Sequence, residues 1–175
     1  MPGTGRSGAA PLDQSLPRTS VAFVPPNHLY VANSEKSLIL HIPVMRNGSA
    51  GEVAVIAGEY PPMGPPGLLF VPDGLSVDVD GNVYSTIVPA GFTGFPLSPV
   101  IRIDPATGEV EAVVEPFSVP SPMFDFPTSL AFGGWFSGRD CLYVANSGAA
   151  AFGTPGGSGA KVTKVGVGVR GIPLQ

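Results

Sequence analysis

The chain has 175 residues, 43% of them hydrophobic and 13% charged, which is enough apolar content to bury a core in one modest domain. Nine Lys and Arg against 13 Asp and Glu leave a formal net charge of −4, so there is no basic footprint for nucleic acid and no polybasic patch for a membrane. The single cysteine, Cys141, excludes an internal disulfide framework and a cysteine-rich zinc site, while 24 Gly and 21 Pro call for many turns between short strands.

Residues 1–15 read as a flexible or truncated leader. They lack the apolar run of a secretory signal, and no later stretch is long enough to span a bilayer as a helix. From there the chain repeats itself. LYVANS occurs at 29–34 and again at 142–147, with a weaker echo, VYSTIV, at 83–88. Around each copy the grammar is the same. A short apolar strand (SVAFV, GLSVDV, SLAFG) leads through a polar turn (PPN, DGN, SGRD) into a strand centred on tyrosine.

A third strand follows in every unit (LILHIPV, VIRIDP, KVTKVGV), and in the first two units a fourth (EVAVIAG, EVEAVVE). VIRID and EVEAVV alternate apolar and polar residues and are dense in β-branched side chains, as half-buried strands require. The turns between third and fourth strands, NGSAGE and DPATGE, carry Gly where a positive φ is needed and Asp-Pro where a turn opens. Asn47-Gly48-Ser49 also matches a glycosylation sequon, but Asn-Gly is foremost a hairpin turn. No window sustains a 3.6-residue stripe, so helices should be scarce.

Units of roughly 55 residues, each a four-stranded antiparallel meander, predict the blades of a β-propeller. The fold expected is all-β: a partial propeller of about three blades, in units of roughly 16–60, 61–120 and 121–175. A blade cannot bury both faces alone, so the repeated tyrosines and valines should pack against neighbouring blades. Three blades are fewer than a closed ring needs. The chain is therefore expected to be part of a longer protein, to pair with a second copy as a homodimer completing six blades, or to form an open and marginal arc.

Four segments carry a resemblance: PDGLSVDVDGNVYS, VIRIDPATGEVEAVVE, FPTSLAFGG and the tail KVTKVGVGVRGIPLQ. Together they resemble the gluconolactonase and senescence-marker-protein (regucalcin-like) family of six-bladed propellers, in the order of its C-terminal half. The resemblance implies hydrolysis of a sugar lactone or similar cyclic ester. It also implies a divalent metal, Ca²⁺ or Zn²⁺, at the top of the channel, polarising the carbonyl while a ligated carboxylate takes a proton from water. The family's aspartate matches Asp73, which the resemblance makes both a metal ligand and the general base. A family asparagine aligns near Thr19, and the remaining ligands belong to blades outside this sequence. The alternative is a non-catalytic propeller segment, a scaffold of the NHL kind or a decayed relative, binding protein or a small ligand.

Other candidates have plainer readings. Asp73 would equally serve as a turn acceptor between Pro72 and Gly74. Asp78, Asp80 and Asn82 lack the spacing of an EF-hand and fit a hairpin turn. His28 sits in a turn and His41 in an alternating strand, neither with a partner at metal spacing, so both read as structural. Cys141 reads as a small buried residue at a strand start. No G-x-S-x-G elbow surrounds any serine. Phe92, Phe95, Met123, Phe124 and Phe126 lie in Pro- and Gly-rich loops, as a ligand-lined mouth or as plugs between blades.

Overall fold

The computed structural model describes residues 20–58, 70–89, 100–114, 124–134, 138–148 and 159–172. The leader at 1–15, the unit boundaries near 60 and 120, and Thr19, Phe92, Phe95 and Met123 lie outside them. The described residues form strands and turns, without helix. None of it is a helix long and apolar enough to cross a membrane.

Three antiparallel sheets follow one another along the chain. The first is built in order from β1 (Ser20–Val24), β2 (His28–Asn33), β3 (Leu38–Pro43) and β4 (Ala54–Ala57). The second contains β5 (Phe70–Val77), β6 (Val83–Pro89), β7 (Val100–Ile103) and β8 (Val110–Ala112). The third contains β9 (Pro127–Phe132), β10 (Cys141–Asn146) and β11 (Lys161–Gly166). Each sheet is a meander in sequence order, so β1, β5 and β9 are corresponding edge strands. β5 lies next to β1 on one side and next to β9 on the other, so the sheets stand side by side as consecutive blades.

The turns form for the reasons their residues supply. Gly48 and Gly108 adopt φ of 80° and 74°, and the carboxamide oxygen of Asn47 accepts the Ser49 N–H at 3.0 Å. Asp104 accepts the Ala106 N–H at 2.8 Å, and this bond holds its carboxyl below the usual carboxylate range.

Register aligns the three units residue by residue. Tyr30, Tyr84 and Tyr143 are flanked on the inner strands by Ala22, Ser76 and Ala131, and on the third strands by His41, Arg102 and Lys164. Because strand side chains alternate, these residues share one face of each sheet. The opposite face is apolar: Leu75, Val77, Val83, Ile101 and Ile103 in the second sheet, Leu130, Phe132, Leu142, Val144 and Val165 in the third.

Two clusters follow from that alternation. Tyr30, Ala32 and Ile39 pack against the aliphatic face of the second sheet. Tyr84 packs against the aliphatic face of the third, its ring edge-on to Phe132 at 5.3 Å and 87°. A buried tyrosine strand between neighbours is thus the recurring packing unit. Tyr143 has no following sheet among the described residues and is only half-buried.

After β11 the chain returns to the second sheet. Val79 donates its N–H to the Arg170 carbonyl at 2.9 Å, and Ile172 donates to the Val77 carbonyl at 3.1 Å. Gly171 permits this crossing, since a Cβ there would lie 2.2 Å from Phe132 Cβ. The segment therefore clamps the second and third sheets together at one end of their inner strands.

Candidate functional site

Asp73 lies in a bulge of β5. Pro72 pairs with Ile87 and Leu75 with Ser85, so Asp73 and Gly74 together oppose the single residue Thr86. Two residues against one bends the strand and re-aims a side chain, a device common beside active sites.

Hydroxyls hold the backbone on every side of Asp73. Thr86 Oγ1 accepts the Gly74 N–H at 2.7 Å in a buried contact. From the first sheet, Ser34 Oγ donates to the Pro72 carbonyl at 2.7 Å, and Ser20 Oγ accepts the Leu75 N–H at 3.1 Å. A Cβ on Gly74 would lie 2.6 Å from Ser129 Cα, backbone against backbone, so only glycine lets β5 approach β9 here. The half-buried Asp73 is therefore placed by all three sheets.

The equivalent position in the third sheet is Thr128, which sits beside a similar irregularity and directs Oγ1 to the Ala145 carbonyl at 3.5 Å. In the first unit it is Thr19. One carboxylate among three corresponding positions marks the second sheet as different in kind.

At the other end of β5, Asp78 is fully buried. Its Oδ1 accepts the N–H groups of Asp80 and Asn82 at 2.9 Å each, and its Oδ2 accepts Asn82 Nδ2 at 2.9 Å and Tyr84 Oη at 3.2 Å. Both carboxylate oxygens are occupied by protein donors. This is a hairpin turn, not a calcium loop. Burial, followed by the neighbouring Asp78 charge, pushes the Tyr84 phenol up to about 12.

His28 and His41 are not independent, as their sequence spacing suggested. Adjacent strands bring Nδ1 of His28 within 2.9 Å of Nε2 of His41, with the rings stacked at 5.1 Å and 22°. Desolvation lowers the His41 pKa, and the His28 charge lowers it further. Pairing across a register cannot be seen in a 13-residue separation along the chain. Cys141 opens β10 as expected but is half-buried rather than buried, its Sγ 3.6 Å from Asp140 Oδ1. Phe124 is a buried member of the second cluster, which supports the plug reading at that position.

A cavity of about 390 Å³ lies between the inner strands, walled by Val21, Phe23 and Pro25 of the first unit, Leu75 and Val77 of the second, and Ile172. Its named wall residues are apolar, and backbone polar groups share the lining. Asp73 precedes Leu75 by two residues and is not part of its wall. Among the described residues, no three His, Cys, Asp or Glu side chains converge as a metal site. The sequence had identified Asp73, but not Ser20, Ser34 and Thr86, which hold its backbone. Only the Ser following the repeated LYVAN hinted at them.

No family model matches the sequence, and no curated protein matches it. The fold does have solved counterparts. A luciferin-regenerating enzyme superposes with a TM-score of 0.60 at 20% identity, over 89% of this chain and 47% of that one. A putative gluconolactonase superposes with a TM-score of 0.57 at 18% identity, over 90% of this chain and 41% of the other. A virginiamycin B lyase from Staphylococcus aureus is more remote, with a TM-score of 0.45 and 14% identity. The chain spans less than half the length of these proteins. In its fold, then, this chain matches part of a six-bladed β-propeller.

Proposed function

We propose that the chain is the C-terminal half of a lactonase-type propeller that hydrolyses a sugar lactone or similar cyclic ester, with Asp73 as the general base. The observation that carries this reading is the position of Asp73: a bulge on an inner strand, the backbone on each side held by a hydroxyl, and threonine at both corresponding positions. A carboxylate on backbone held in this way suits proton transfer, because the position of its Cα is settled before substrate arrives. Asp73 would take a proton from water as the oxygen bonds to the lactone carbonyl carbon. Collapse then breaks the ring C–O bond, and the departing oxygen takes up a proton to leave an open hydroxy acid.

Among the described residues, no three His, Cys, Asp or Glu side chains converge to hold a resident Ca²⁺ or Zn²⁺. No step is therefore routed through a metal. The same deficit favours the second reading, a non-catalytic propeller segment that binds protein or a small ligand.

The two readings separate in a pH-stat assay of a sugar δ-lactone, run with and without added Ca²⁺ or Zn²⁺. Acid release by the wild type and a loss of at least about 100-fold in Asp73→Asn, with an unchanged unfolding curve, is the expected result. Equal rates for the two proteins would remove Asp73 from the reaction, and an inert, well-folded wild type would leave the scaffold reading.

A further inference from the structure

The first sheet holds a pair of ligating side chains that the proposed reaction does not use. His28 opens β2 and His41 lies in β3; register sets His28 opposite Pro43 and His41 opposite Tyr30, so the two imidazoles are diagonal neighbours on one face of the sheet. They meet at the end of that sheet away from Asp73. Val24, which pairs with His28, is at the opposite end of β1 from Ser20, whose hydroxyl holds the backbone beside Asp73. Four residues of strand, about 13 Å, separate the two places.

The facing nitrogens, Nδ1 of His28 and Nε2 of His41, stand 2.9 Å apart and share one hydrogen, one donating and the other accepting. Among the described residues, no hydrogen bond from either ring to a carboxylate or a carbonyl accompanies it. Whichever ring holds the shared hydrogen, moving it to that ring's outer nitrogen leaves both facing nitrogens as lone-pair donors with both rings neutral, the state that binds a metal. Two nitrogens bound to one ion at about 2.0–2.1 Å lie about 2.9 Å apart at a right angle and about 3.3 Å apart at a tetrahedral one. The observed separation therefore asks for a small rotation of the rings rather than a new backbone path. Both ligands stand on paired strands, and the Val44 N–H closes that end of the hairpin on the Asn27 carbonyl at 2.7 Å. Paired strands hold a site more precisely than loops do.

We infer that His28 and His41 form a two-imidazole clip for one divalent transition-metal ion, Cu²⁺ in preference to Zn²⁺, with water completing its coordination. Imidazole suits both ions, Cu²⁺ binds nitrogen more tightly, and the separation of the two nitrogens fits the right angle of a tetragonal site. Ca²⁺ and Mg²⁺ take oxygen ligands and are not expected here. Both rings are half-buried, which leaves the remaining coordination positions open to solvent. No group of three His, Cys, Asp or Glu side chains forms among the described residues, and no carboxylate orients either ring, so the affinity belongs in the range of about micromolar and binding is reversible. A bound ion staples β2 to β3, the hairpin whose Tyr30 packs against the second sheet. The inference stands on the histidine pair and is independent of any role for Asp73.

Calorimetric titration of the metal-free chain with Cu²⁺ alone, and separately with Zn²⁺ alone, tests it. The expected result is one ion per chain, with a dissociation constant on the order of 1–10 μM for Cu²⁺ and a weaker one for Zn²⁺. His28→Asn and His41→Asn should each weaken Cu²⁺ binding at least about ten-fold, because a single imidazole remains. Asp73→Asn and Cys141→Ser should leave the titration unchanged, and Ca²⁺ should not compete, so failure of the lactonase reading would leave this result standing. If a histidine variant fails to fold, electron paramagnetic resonance of the Cu²⁺-loaded wild type decides the matter, with hyperfine splitting from two nitrogens expected. Three outcomes overturn the inference: no binding at up to about 1 mM Cu²⁺, binding of undiminished affinity after both histidines are replaced, or a spectrum with one coordinating nitrogen or none.

Discussion

The two copies of LYVANS form strands of the same kind and do different work. In the first sheet Tyr30 is buried against the second sheet, Asn33 accepts the Lys36 N–H at 3.0 Å to close a local turn, and Ser34 reaches across to the Pro72 carbonyl. In the third sheet Tyr143 is half-buried. There Asn146 Oδ1 accepts the Asp125 N–H at 3.0 Å, its Nδ2 donates to Thr163 Oγ1 at 3.1 Å, and Ser147 stays within its own sheet on the Phe126 carbonyl. Identical letters thus determine strand, register and the face each side chain occupies. What the side chain accomplishes depends on which sheet stands opposite.

The largest effect expected from breaking this pair is at tyrosine. Tyr30→Ala should cost about 4 kcal/mol in urea unfolding, the cost of emptying a buried aromatic site. Tyr143→Ala, at a half-buried site, should cost about 1 kcal/mol. Equal losses would mean that Tyr143 is packed as closely as Tyr30.

A smaller asymmetry should appear at asparagine, and in the opposite sense. Asn146→Ala strands a buried Asp125 N–H and should lose about 2 kcal/mol, whereas Asn33→Ala removes one turn bond and should lose about 1 kcal/mol. Chemical denaturation of the two variants side by side would show whether the third-sheet asparagine holds its strands and the first-sheet one only its turn.

The smallest effect concerns His41, paired to Tyr30, against Lys164, paired to Tyr143. Burial and His28 depress the folded-state pKa of His41, so the neutral ring is favoured in the native state. That stabilisation is complete above the ordinary histidine value near 6.5, and it is lost as the pH falls through the folded-state pKa. His41→Asn should flatten this acid limb of the melting profile below about pH 6.5. An unchanged limb would assign it elsewhere.

How much of this was legible depended on how local the physics is. Strand positions, hairpin turns and the tyrosine repeat could be read because period-two alternation and turn residues act within a few residues. Asp73 was legible through its motif. The bulge that aims it was not, because Thr86, Ser20 and Ser34 come from other strands and the close approach at Gly74 depends on β9. The histidine pair and the return of residues 170–172 to β5 were likewise invisible, since each depends on register between distant segments.

The sequence by itself determined three antiparallel meanders and the two unlike faces that each presents, because alternation commits every side chain to one side of its sheet. Only the tertiary structure decided which faces are covered, where Asp73 is held and which polar groups meet. These are set by contacts between sheets, and short-range rules carry no information about what stands across an interface.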